Sequence, residues 1–180
     1  MTTIKHKAQR VAIFIDVQNL YHSAKNLFHS RVNFEAIIRR ALAGRQLIRI
    51  FAYVVRSETK EVNEHERVIP TGETAFFDAL ENMGVDLRMK DLQVYSSGMK
   101  KADWDVGMAV DAIRLSESVD TIVLVTGDGD FIPLVEYLQG HGKQVEVLGF
   151  SKSASGKLKE AVDDFIDLGS QPKVFLLKSK

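Results

Sequence analysis

The 180-residue sequence contains no cysteine. Disulfides, a thiolate zinc site, an iron–sulfur cluster and a thiol nucleophile are excluded together. Nor does any uninterrupted apolar stretch approach the roughly 20 residues needed to cross a bilayer. The opening Met1–Lys7 carries no apolar h-region, so a signal peptide is not expected and cytoplasm is the expected location. No membrane partner is expected. An excess of one charge is missing as well, since 24 Lys plus Arg face 24 Asp plus Glu. Nucleic-acid binders are often basic overall, yet phosphate needs only a local positive groove, so the distribution of charge outweighs its sum. Internal repeats and low-complexity segments are absent.

What remains is 45% hydrophobic and 27% charged, an ordinary globular balance. The length suits one α/β domain. Val11–Ile15 is apolar at every position and ends at Asp16, as expected of a strand buried on both faces. Leu47–Val55, Val85–Met89, Thr121–Val125 and Val145–Leu148 read as further strands. Helical patterns fall at about 18–29, 34–43, 73–83, 105–116, 131–140 and 156–167. This alternation predicts right-handed βαβ crossovers and a three-layer sandwich around a central, mainly parallel sheet of five to six strands. Arg56–Gly72 is polar and patternless and reads as a mobile loop beside the site. The domain is expected over residues 10–168, after an extension at 1–9 and before a tail at 169–180 in which Lys173–Leu177 is a candidate edge strand.

Ligands of open α/β sheets sit beyond the carboxyl ends of the strands, at a switch in strand order. Asp16 ends the first strand, and Asp128 and Asp130 follow the fourth within Thr126-Gly127-Asp128-Gly129-Asp130. Those two strands should be central neighbours. Asp105 opens the helix that leads to the fourth strand and can reach the same rim. Crowded carboxylates repel, so they take up protons or a cation. An all-oxygen set suits Mg²⁺ or Mn²⁺, which can activate water and stabilise a leaving oxygen in phosphodiester cleavage. Each acid also has a plainer reading. Asp16 can be a helix cap, and Asp128 and Asp130 can favour a helix dipole. Asp111 lies roughly 120° around the helix from Asp105, and pairing with Arg114 stands as its alternative.

Asn19 can orient a metal-bound water or a phosphate, or be a polar first-turn residue. Lys90, Lys100, Lys101, Lys143 and Lys152 are candidate phosphate contacts, and Tyr21, Tyr95 and Trp104 can stack on bases. The five histidines show no metal-ligand spacing. Gly127-Asp128-Gly129 has Ile132 where a dinucleotide fingerprint needs a third glycine. No Walker A motif or EF-hand loop is present. Thr126 has no evident histidine partner that would make it a nucleophile.

The motifs together resemble a known family. Phe14-Ile15-Asp16-Val17-Gln18-Asn19-Leu20 is similar to the F-I-D-x-x-N-L opening of NYN domains, relatives of the PIN-like nucleases. Lys101-Ala102-Asp103-Trp104-Asp105-Val106 with Val110-Asp111 resembles their K-G-x-D-V…D segment. Val125–Val135 resembles their S-G-D-x-D-F-x-P-L block, and Gly142-Lys143-Gln144-Val145 their G-K-x-V. The combination points to the LabA-like branch over about residues 10–168. It departs in two places: Thr126 replaces the usual serine, and Ala102 stands where glycine is common.

The resemblance implies a PIN-like Rossmannoid fold and metal-dependent ribonuclease chemistry, with Mg²⁺ or Mn²⁺ as cofactor and RNA as partner. It implies Asp16, Asp105, Asp128 and Asp130 as catalytic metal-site residues, with Asp16 and Asp128 as principal ligands. Asp111 falls on a family aspartate and joins them as a further metal candidate. Asn19, Thr126, Lys101 and Lys143 are the expected substrate contacts. A homodimer is compatible with the chain. The alternative implied by LabA-like relatives is a regulatory protein that binds RNA or a protein partner without turnover. A haloacid-dehalogenase-type phosphatase ranks low, because Gln18 stands where that chemistry wants a second aspartate.

Overall fold

A strand covered by helices on both faces needs apolar side chains at every position, and the first strand has them. Val11, Ala12, Ile13, Phe14 and Ile15 are all fully buried. The computed structural model describes residues 3–56, 71–91, 93–94, 100–101 and 103–177. Its elements, in chain order, are β1 (Arg10–Asp16), α1 (Val17–Phe28), β2 (Arg31–Val32), α2 (Phe34–Leu42), β3 (Gln46–Arg56) and α3 (Thr71–Asn82). There follow β4 (Asp86–Asp91), β5 (Gln93–Val94), β6 (Lys100–Lys101), α4 (Asp105–Ser116), β7 (Thr121–Val125) and α5 (Ile132–Gly140). The chain ends in β8 (Gln144–Gly149), α6 (Gly156–Ala161), β9 (Asp164–Asp167), α7 (Pro172–Phe175) and β10 (Leu176–Leu177).

The main sheet has six strands, all parallel, in the order β4-β3-β1-β7-β8-β9. From β1 the chain builds outward through β3 and β4, then returns to lay β7, β8 and β9 on the other side. The switch in order therefore falls between β1 and β7, where a ligand crevice is expected. Alternation along the strands divides the core in two. Ile13, Ile15, Val123 and Val125 pack with Leu20 and Ile37 of α1 and α2 on one face. Phe14, Leu124 and Val147 pack with Met108, Leu134 and Leu138 of α4 and α5 on the other. This is the α/β three-layer sandwich that the sequence predicts.

Two expectations are corrected. The helix predicted to run to residue 167 stops at Ala161, where Val162 turns extended, and Asp164–Asp167 forms the sixth strand against β8. Asp163 fixes the break: its Oδ2 accepts from the Val145 N–H at 2.7 Å, stitching the end of α6 to the start of β8. The tail does not join the main sheet; β10 pairs antiparallel with β2 in a separate two-stranded sheet. Most of the expected loop at Arg56–Gly72 lies outside the described residues. Among the described residues, no helix is long and apolar enough to cross a membrane.

Candidate metal centre

The carboxyl ends of β1 and β7 meet at a rim held by a short chain of hydrogen bonds. Asp16 caps α1, its Oδ1 accepting from the Asn19 N–H at 3.1 Å, a cap that satisfies one orphan donor of the helix. Its Oδ2 accepts from the Thr126 hydroxyl at 3.1 Å. The same hydroxyl oxygen accepts from the Asp128 N–H at 3.2 Å. The Asn19 side-chain oxygen accepts from the Gly127 N–H at 2.8 Å. Thr126 and Asn19 thus each tie β1–α1 to the loop after β7. Thr126 is fully buried under the rim, so it acts on the acids and not on solvent.

The loop itself is packed too tightly for side chains. A Cβ on Gly127 would lie 3.0 Å from the Ala154 Cα, and one on Gly149 would lie 2.7 Å from the Thr126 carbonyl oxygen. The Ser155 N–H closes the seam by donating to the Gly127 carbonyl at 2.9 Å. Asp128 then caps a short 3₁₀ turn, Gly129–Phe131, accepting from the Asp130 N–H at 2.9 Å.

Asp105, the first residue of α4, comes to the same place from the other side. Carboxylate oxygens of Asp105, Asp128 and Asp130 lie within 4.8 Å of one another. Asp16 is not one of these three, although its charge reaches Asp105. Burial, and then the charges of Asp128, Asp103, Asp16 and Asp130, push the Asp105 carboxyl up to about 6. Burial also raises the Asp16 carboxyl, against the lowering effect of its bonds from Asn19 and Thr126. Among the described residues none of these four acids has a cation in an ion pair. Three converging carboxylates, all oxygen donors, fit a hard divalent cation such as Mg²⁺ or Mn²⁺, which would relieve their repulsion.

The helix carrying Asp105 is anchored to β3 and β4. The Trp104 indole N–H donates to the Val54 carbonyl at 2.9 Å, and its ring meets Tyr53 edge-on at 5.5 Å. Lys90 lies over the Trp104 ring and donates to the Asp103 carbonyl at 2.8 Å. Gly107 is required beneath this indole, because a Cβ there would approach it to 2.8 Å. Asp111, six residues further along α4, is not among the acids brought together there. Its Oδ2 accepts from the Tyr53 hydroxyl at 2.9 Å and from Arg88 Nε at 3.1 Å. Arg88, not Arg114, is its cation. Burial, followed by this bond to Asp111, raises the Tyr53 phenol far above its ordinary range.

The remaining candidates divide. Lys143 precedes β8 and therefore lies at the amino rim, across the sheet from the acids; its ammonium donates to the Val119 carbonyl at 3.0 Å. Lys152 follows β8 at the acid rim and is exposed, and Tyr21 is exposed on α1. Tyr95 and the side chains of Lys100 and Lys101 lie outside the described residues. Trp104 is committed to Val54 and Tyr53 and does not offer a free stacking face. Sequence reasoning passed over Tyr53 and Ser155. A lone hydroxyl in the apolar run Phe51–Val55 is a signal for a buried partner, but Ser155 gave none beyond that of a helix cap.

Comparison with known proteins agrees with this geometry. The NYN domain matches residues 10–169. The chain is 29% identical over 172 residues to the Low amplitude and bright protein LabA of Synechococcus elongatus, covering 90% of this chain and 85% of that one. An uncharacterized protein of Methanocaldococcus jannaschii, MJ0482, is 36% identical over 81 residues, which span 44% of this chain and 34% of that one. The crystal structure of a protein of unknown function from Vibrio parahaemolyticus, VPA0982, superposes with a TM-score of 0.80 at 28% identity, covering 97% of this chain and all of that one. With an acid-rimmed switch point in a six-stranded parallel sheet and a match over most of its length, the chain belongs to the NYN-domain family of the PIN-like nuclease superfamily.

Proposed function

We propose that this protein is a metal-dependent endoribonuclease that hydrolyses RNA phosphodiester bonds at the rim between β1 and β7. The observation that carries the proposal is the convergence of Asp105, Asp128 and Asp130 from two separate elements, with no ion pair to any of them among the described residues. These three would hold Mg²⁺ or Mn²⁺. A divalent cation there supplies Lewis-acid polarisation of a phosphodiester and offsets the negative charge that develops at phosphorus. Asp16 faces the same rim with both oxygens already oriented, and its remaining lone pairs can accept from a water or a substrate hydroxyl. Asn19 and Thr126 hold that arrangement from beneath. Lys152, exposed at the rim, is available to phosphate.

The test is cleavage of a labelled RNA pool with Mg²⁺ or Mn²⁺, with and without chelator, by the unmodified chain and by Asp128→Asn. The amide keeps the oxygen that accepts from the Asp130 N–H, so the turn should persist. Cleavage that needs the ion, and that falls about a hundredfold or more in the variant, is expected from an interaction worth several kcal/mol in the transition state. Chelator-insensitive cleavage, or a variant as fast as the parent, refutes the proposal. RNA binding without turnover under either ion would favour instead a regulatory RNA-binding role.

A further inference from the structure

We infer that Asp111 is a positioning residue, not a metal ligand, and that through Tyr53 and Arg88 it sets where α4 presents Asp105 to Asp128 and Asp130. The inference rests on the metal-centre reading above. The two halves of the cluster are tied by different polar contacts, although α4 also packs on β1, β7 and the 3₁₀ turn that carries Asp130. Asp128 and Asp130 follow β7 and are fixed to β1 and α1 by Thr126 and Asn19. Asp105 rides on α4, whose described polar anchors reach toward β3 and β4: Trp104 to the Val54 carbonyl and Asp111 to Tyr53 and Arg88.

Tyr53 is the hinge of this arrangement. It is 1% exposed, and it stands directly opposite Asp16 in the β1–β3 register and opposite Arg88 in the β3–β4 register. Its hydroxyl fixes Asp111, while its ring takes the edge of Trp104, the residue before Asp105. Arg88 reaches the same Asp111 oxygen while lying over the Phe51 ring at 4.7 Å. A shift of α4 along its axis would break both bonds to Asp111 and slide the indole off Tyr53. The acid therefore fixes the height of the helix, and with it the reach of Asp105. Residues that orient metal ligands from behind commonly change metal affinity about 10–100-fold when altered.

The experiment is Mn²⁺ titration by calorimetry and by loss of the free-ion paramagnetic resonance signal, on the full chain and on Asp111→Asn, Tyr53→Phe and Arg114→Ala. Tyr53→Phe keeps the ring and removes only the hydroxyl, so it guards against a loss of fold. Asp111→Asn and Tyr53→Phe are expected to weaken Mn²⁺ binding by similar factors, about tenfold, with unchanged stoichiometry. Arg114→Ala should bind as the parent does. RNA cleavage by the first two should recover at saturating Mn²⁺, which a general loss of structure would not allow. A large loss in Asp111→Asn with none in Tyr53→Phe would make Asp111 a ligand and overturn the inference, as would parental binding in both. Failure of the unmodified chain to take up Mn²⁺ would instead remove the metal-centre reading itself, and the inference with it.

Discussion

The two rims of the sheet treat negative charge in opposite ways. Toward the amino ends of the strands, acids are matched by cations. Arg45 and Glu146, both with fully buried side chains, form a two-pronged pair at 2.8 and 2.9 Å, and Lys5 adds a contact to Glu146 at 3.2 Å and to Asp164 at 3.0 Å. Arg10 pairs with Asp120 on the surface. At the carboxyl ends, Asp105, Asp128 and Asp130 face one another, with Asp16 adjoining. A chain that satisfies a buried Glu146 so fully is not short of cations in general. Among the described residues these four acids have no such partner, a local imbalance that a ligand of opposite sign would relieve.

Cutting the matched rim should produce the largest effect on stability. Arg45→Met removes one partner of a fully buried pair and leaves Glu146 with Lys5 and the Gln144 amide. A loss of about 3 kcal/mol is expected, measured as a fall in the urea midpoint at unchanged slope. Adding Glu146→Gln should recover much of it, since a buried charge no longer lacks its partner. If the single variant proves as stable as the parent, the pair is not held as described and the contrast between the rims loses one side.

At the other rim the corresponding cut is Thr126→Val. It leaves an Asp16 oxygen and the Asp128 N–H without the hydroxyl that joins them. The expected cost is about 1–3 kcal/mol, the range for buried groups left unsatisfied. Thr126→Ser should lie much closer to the parent. Equal stability of the valine and serine variants would show that the hydroxyl does not bind the rim together.

Much of this contrast is legible in the sequence, and the failures are informative. β1 and β7 could be placed at the centre because Val11–Ile15 and Ile122–Val125 are unbroken apolar runs, and acids follow closely, Asp16 directly after the first and Asp128 just beyond the second. β9 escaped because Asp164-Phe165-Ile166-Asp167 is short and half acidic, and nothing in it distinguishes a strand from the last turn of α6. The partners of Asp111 are not legible in the sequence, because a helical wheel gives the angle of a side chain but not what it meets. Its partners, Tyr53 and Arg88, come from strands 58 and 23 residues away. Lys143 was the avoidable case. A residue that precedes a parallel strand must fall at the amino rim, so its place before β8 already set it apart from the acids.

Titration should separate the rims without any mutation. The Asp105 carboxyl lies at about 6 in the fold and near 3.9 in an unfolded chain. Between those values the native state holds the extra proton, so the metal-free protein should gain stability as pH falls from about 7 toward 4. Asp120 behaves oppositely. Its bonds from Arg10 hold it down at about 2, so its contribution is present above roughly 4 and is lost as pH falls toward 2. Asp105→Asn should flatten the upper window and leave the lower one in place. Unfolding midpoints of the metal-free protein across this range that show no rise on mild acidification would contradict the crowding of the acids.

The smallest effect is expected where a charge pair is present but exposed. Arg10 and Asp120 meet at 2.7 Å, yet their side chains are 45% and 41% exposed, so water competes for both. The Arg10 backbone N–H also donates to Asp120 at 2.8 Å, and that bond survives truncation of the side chain. Arg10→Ala should therefore cost no more than about 1 kcal/mol, and the cost should shrink with added salt. A change as large as that in Arg45→Met would mean that burial does not govern how strongly the amino rim is held. The inference drawn from unmatched acids at the opposite rim depends on the same principle, because their repulsion matters only to the extent that water is kept from screening it.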